Sequence, residues 1–104
     1  MIQDQPLHIP DDHPAFAGHF PGQPIVPGVV LLDLAQIAIQ GAMLNPCGLT
    51  CRELSVAKFY RPVRPGEVVM LNAEQDASGV RFVLRVGDAK VADGKFLTAG
   101  VPDA

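Results

Sequence analysis

The chain has 104 residues, 48% of them apolar and 18% charged, with a formal net charge of −3 at pH 7. A chain this short supports one domain with one core, spanning 1–104, and its limited buried fraction favours oligomerisation; its apolar content excludes a disordered chain. The balance of charge offers no field for nucleic acid, because residues 1–51 carry four aspartates and no Lys or Arg, while all eight basic residues lie beyond, mixed with seven acids.

The longest apolar run, Val29 to Met43, is interrupted by Asp33, Gln36 and Gln40 and falls short of the roughly 20 residues that cross a bilayer. The first residues show neither the basic nor the apolar region of an export signal. A cytoplasmic protein without a membrane span is therefore expected, and in that compartment Cys47 and Cys51 are expected to be ordinary reduced thiols.

Taken in chain order, Leu7 and Ile9 alternate with polar neighbours, which predicts a strand over residues 2–9 that stops at Pro10. Residues 10–28 are dense in proline and glycine, which excludes regular structure and makes a stiff arm. His8, Asp11, Asp12 and His13 resemble a ligand set by composition, yet Pro10 and Pro14 hold them in a rigid, exposed stretch. No metal and no cofactor is expected.

After Pro27-Gly28 the run Val29–Leu44 is apolar around almost its whole circumference, the pattern of a helix buried on most sides. Asp33, Gln36 and Gln40 follow one another at i, i+3 and i+7 and form a narrow polar stripe. Asn45-Pro46 and Gly48 end the helix. The segments 53–60, 67–75, 80–86 and 90–99 read as strands, and their short spacers predict antiparallel neighbours. The class is α+β, an antiparallel sheet wrapped around one long central helix.

Asp33 is the only charged side chain between Phe20 and Cys51, and it stands fourteen residues after His19. The residues between them read His19-Phe20-Pro21-Gly22, Pro24, Pro27-Gly28-Val29. Together with Lys58-Phe59, Arg61-Pro62-Val63-Arg64-Pro65-Gly66-Glu67 and Val91-Ala92-Asp93-Gly94-Lys95, they resemble the signature of the β-hydroxyacyl-(acyl carrier protein) dehydratases, over about residues 8–97. The resemblance implies a hotdog fold. Asp33 stands where one branch of that family carries Glu and another Asp, and Ile37 stands where a Gln is common, with Gln36 one residue earlier. The short N-terminal part resembles the small stand-alone dehydratases.

The resemblance further implies removal of water from a 3-hydroxyacyl thioester borne by acyl carrier protein. That reaction needs a base for the α-proton, an acid for the departing hydroxyl and a donor for the thioester oxygen. His19 suits the first, since imidazole titrates near neutral pH, and Asp33 the second. The Gly28 N–H at the helix start suits the third, with Val29, Phe20 and Val26 lining the acyl group. Phe16, Phe20 and Phe59 are expected in the core or along an acyl tunnel. The resemblance also places His19 of one subunit opposite Asp33 of another, in a homodimer or higher homo-oligomer. Lys58, Arg61 and Arg64, grouped around Pro62, are either a solvated strand end or a docking patch for the acidic carrier protein. Two other functions fit the same residues: a thioesterase on this fold, and a non-catalytic acyl- or carrier-protein-binding module.

Overall fold

Period-two alternation builds the sheet. In the computed structural model, which describes residues 1–9, 25–64 and 66–100, the elements are β1 (Ile2–Leu7), α1 (Gly28–Ile39), β2 (Leu49–Phe59), β3 (Val69–Gln75), β4 (Gly79–Val86) and β5 (Ala89–Gly100). All pairings are antiparallel, in the order β1-β3-β4-β5-β2. Val69, Leu71 and Ala73 of β3, Val80, Phe82 and Leu84 of β4, and Val91 and Phe96 of β5 supply the inner face, and they share one core with Val30, Leu31, Ala35 and Ile39 of α1. Phe82 and Phe96 stack with centroids 4.9 Å apart. Opposite Phe82 stands Gly94, where a Cβ would meet the Phe82 ring at 2.8 Å.

Tight turns join β3 to β4 and β4 to β5. At the first, Asp76 Oδ1 accepts from the backbone N–H groups of Ser78 and Gly79, at 2.9 and 3.0 Å, an aspartate turn of the usual kind. At the second, Gly87 takes φ +59°, a conformation that suits glycine. The expected pairing of consecutive strands fails between β2 and β3. β2 pairs with β5 and β3 with β1, because the link 60–68 crosses over instead of turning back. Val63 in this link is fully buried, and its carbonyl accepts from Val26 N at 2.6 Å, which anchors the lead-in to α1. β2 begins at Leu49, earlier than expected, and is bulged at two points, between Cys51 and Glu53 and between Leu54 and Val56.

The long helix departs from expectation in two ways. It is regular only to Ile39, continuing as a π turn over Gln40–Leu44 and a 3-10 turn over Asn45–Cys47, and Gly48 stops it at φ +69°. The continuous helical stretch Gly28–Cys47 reaches 20 residues at a mean hydropathy of 1.4, so by length and composition it meets the minimum for a bilayer span; the expectation that no segment does so is corrected. One flank of it, including Leu31, Ala35, Ile39 and Leu44, lies in the core. It is also not buried on most sides. Val29 is 72% exposed and Ile37 63%, with Asp33 and Gln36 exposed between them, because the sheet covers only one flank.

Candidate active site

The first turn of α1 is shaped by proline and glycine. Pro27 caps the helix without a side-chain hydrogen bond, and its carbonyl accepts from Val30 N at 3.0 Å and Leu31 N at 3.4 Å. The amides of Gly28 and Val29 have no backbone acceptor among the described residues, as the first donors of a helix do not. They point toward the helix start with its partial positive charge.

Asp33 lies one turn further along the flank that carries Val29 and Ile37, and it is exposed. With Val29, Val30 and Leu34 it lines a shallow hollow of about 210 Å³. The polar stripe is split in use. Asp33 and Gln36 face outward, while the Gln40 amide reaches the neighbouring strand, donating to Leu49 O at 2.9 Å and accepting from Cys51 N at 3.0 Å. Gln40 thus pins the helix end to the start of β2 as another strand would.

A larger hollow of about 520 Å³ opens beside the helix start. Its floor is Val26, Leu31 and Val63, all buried, and its lip is Phe59, Tyr60 and Arg61. Phe59 is 48% exposed and so not a core residue. Its ring tip lies against Gly28, where a Cβ would stand 2.8 Å from Cζ. The missing side chain at Gly28 thus leaves room for an aromatic ring. Tyr60 donates its hydroxyl to Asp93 Oδ2 at 2.9 Å, Lys90 Nζ lies 2.6 Å from the same oxygen, and Lys90 sits over the Tyr60 ring at 5.0 Å. Asp93 pushes the Tyr60 phenol up, and Lys90 holds the Asp93 carboxyl below its usual range.

Of the three cations proposed for docking, all are exposed. Arg61 is paired with Glu67 at 3.2 Å, and the same carboxylate accepts from Arg64 N at 2.8 Å, so Glu67 offsets part of this charge. Lys58 lies further back on β2. Val26 and Gly28 share the large hollow, while Val29 shares the small one with Asp33. His19 and Phe20, with Phe16, Asp11, Asp12 and His13, lie outside the described residues; His8 is exposed. Cys47 is exposed, and partial burial raises the pKa of the Cys51 thiol. Sequence reasoning named Phe59 for the core or an acyl tunnel but missed Tyr60 and Val63, which complete this wall. The available signal was two consecutive aromatics closing a strand just before Pro62.

The family model described as ApeI-like, ApeI dehydratase, matches residues 3–95. The chain belongs to the ApeI-like dehydratase family. Within the span shared with that family lie Asp33, Gly28 and the arm that carries His19. The 3-hydroxyacyl-[acyl-carrier-protein] dehydratase FabZ of Chlamydia trachomatis is 44% identical over 99 residues, an alignment covering 82% of this chain and 63% of the relative. The corresponding protein of Caulobacter vibrioides is 35% identical, with 82% and 61% covered. The chain therefore spans about three fifths of the length of these curated relatives. Among solved structures, the dehydratase heterocomplex ApeI:P from Xenorhabdus doucetiae superposes with a TM-score of 0.74 at 26% identity, over 90% of this chain and 83% of that one. The helix packed on a five-stranded antiparallel sheet is the hotdog fold of these ApeI-like neighbours.

Proposed function

We propose that this protein removes water from a 3-hydroxyacyl thioester carried by acyl carrier protein, giving the trans-2-enoyl thioester. The observation that carries the reading is Asp33, an acid set on an uncovered apolar helix flank between Val29 and Ile37, in a chain of the ApeI-like dehydratase family. A carboxylate gains nothing for folding there, and a partner that covers the flank would enclose it.

In this reading His19 takes the α-proton, and Asp33 protonates the departing β-hydroxyl. The bond between C2 and C3 becomes double as water leaves. The charge that builds on the thioester oxygen is met by the Gly28 N–H, which has no backbone acceptor among the described residues and lies at the positive end of a helix. Val29 and Val26 line the acyl group beside it, and Phe20 closes it from the arm. No cofactor is needed, because the reaction moves only protons and water. A second copy of the chain covers the exposed flank and brings its own His19 to Asp33, in a cytoplasmic homodimer or higher assembly. Lys58, Arg61 and Arg64 attract the acidic carrier near the large hollow, with Arg61 at its lip.

The test is product analysis. Incubated with a 3-hydroxyacyl carrier protein or its pantetheine mimic, the purified protein should generate enoyl thioester absorbance with no free thiol. Release of thiol would make it a thioesterase, and binding without conversion would make it an acyl- or carrier-binding module; either outcome overturns the proposal.

A further inference from the structure

Gly28 is crowded on the side where its Cβ would project. That Cβ would stand 2.8 Å from Phe59 Cζ and 2.9 Å from Cε1, closer than van der Waals contact allows, so among the described residues outside its own segment the ring tip of Phe59 is what a side chain on Gly28 would meet first. The ring is 48% exposed. It stands at the end of β2 and forms part of the lip of the 520 Å³ hollow, whose floor is the buried side chains of Val26, Leu31 and Val63. Phe59 thus borders both Gly28, the residue that carries the amide, and the apolar hollow next to it.

We propose that Phe59 is the specificity-determining wall for the carbon next to the thioester, excluding acyl chains that carry a substituent at C2. This rests on the reading of Gly28 N–H as the donor to the thioester oxygen. With that oxygen held by the amide, the carbonyl carbon lies one bond away and C2 two. Both then pass the Phe59 ring tip, which already fills the space that a side chain on Gly28 would take. A methyl group on C2 meets the ring, whereas an unbranched chain runs past it into the hollow. Pocket walls of this kind distinguish one methyl group by about 10–200-fold. The ring can set this limit because bulged β2 holds its backbone at one end of the sheet, with the next residue's amide, Tyr60 N, bonded to Val91 O at 2.7 Å.

The experiment compares wild type, Phe59→Leu and Phe59→Ala with a straight-chain 3-hydroxyacyl pantetheine thioester and its 2-methyl counterpart. It reads kcat/KM for each, and by calorimetry the affinity for the two corresponding saturated acyl-pantetheine amides. Wild type should favour the straight chain by at least about tenfold. Phe59→Ala should narrow that ratio by about tenfold, with Phe59→Leu between. A ratio that stays constant while both substrates change in parallel would mean the ring only packs, and the inference falls. Complete absence of dehydration by wild type defeats the proposed function instead. The affinity ratio then still decides on the wall, because a preference for the straight amide that is unmoved by Phe59→Ala overturns it without reference to turnover.

Discussion

The two flanks of α1 are built from similar residues and put to different uses. One carries Val30, Leu31, Ala35 and Ile39, all buried against the sheet, with Leu31, Ala35 and Ile39 almost wholly withdrawn from solvent. The other carries Val29, Asp33, Gln36 and Ile37, all exposed. Hydrophobicity alone does not separate them, since Val and Ile occur on both. The sheet has one inner face, so it covers one flank of a helix that is apolar around most of its circumference, and it leaves Val29 and Ile37 on the other as surface that a monomer has little reason to keep apolar. The inner flank maintains the fold, whereas the outer flank, with Asp33 among its exposed residues, takes no part in it.

Substitutions on one flank that spare the other separate the two uses. The largest effects should be on turnover. Asp33→Asn on the outer flank, and His19→Ala on the arm, should each lower kcat by about 10²–10⁴-fold, with melting temperatures near that of wild type. A steady-state rate within a few-fold of wild type for either variant would remove that residue from the chemistry. On the inner flank Leu31→Ala should cost about 2–5 kcal/mol of stability, measured by denaturant unfolding. A loss far below that range would mean the helix is less tightly packed on the sheet than its burial indicates.

Ile37→Asp tests the outer flank as an interface. Because Ile37 is 63% exposed, the folded chain should tolerate the change, while sedimentation should report at least about tenfold weaker association, roughly 1.4 kcal/mol. An unaltered association constant would move the interface elsewhere. Gln40→Ala removes two hydrogen bonds to the start of β2 and should cost about 1 kcal/mol, with faster amide exchange at Cys51 as its local signature. The smallest effect is a pH dependence. Asp76 is held well below the ordinary carboxylate range, first by Lys95 Nζ and then by the Ser78 backbone amide. A depressed native pKa gives stability that is present above the unfolded value and lost as pH falls below about 4. Asp76→Asn should therefore flatten the acid limb of the stability profile, and an unchanged limb would assign the acid sensitivity to other groups.

Much of the fold was legible because its determinants are local. Alternation marked the strands, Asn45-Pro46 and Gly48 marked the end of the helix, and the His19-to-Asp33 signature marked the family. Three features were not legible, each set by tertiary contacts. The pairing of β2 with β5 depends on the crossover at 60–68, which no periodicity records. The exposure of Asp33, Val29 and Ile37 depends on how much of a helix one sheet can cover. The meeting of Phe59 with Gly28 joins residues far apart in sequence, and neither announces the other. Gln40 was visible as part of a polar stripe, but its role as a surrogate strand follows from the turn that brings Leu49 and Cys51 beside it.

In the proposed function the outer flank of α1 becomes an active site when a second copy covers it. Mixing separately purified His19→Ala and Asp33→Asn proteins under conditions that allow subunit exchange tests this most directly. Each mixed dimer should hold one site with both residues intact, and random reassortment should restore about a quarter of wild-type activity. A mixture no more active than its two components would contradict the claim and put His19 and Asp33 to work within one chain or not at all.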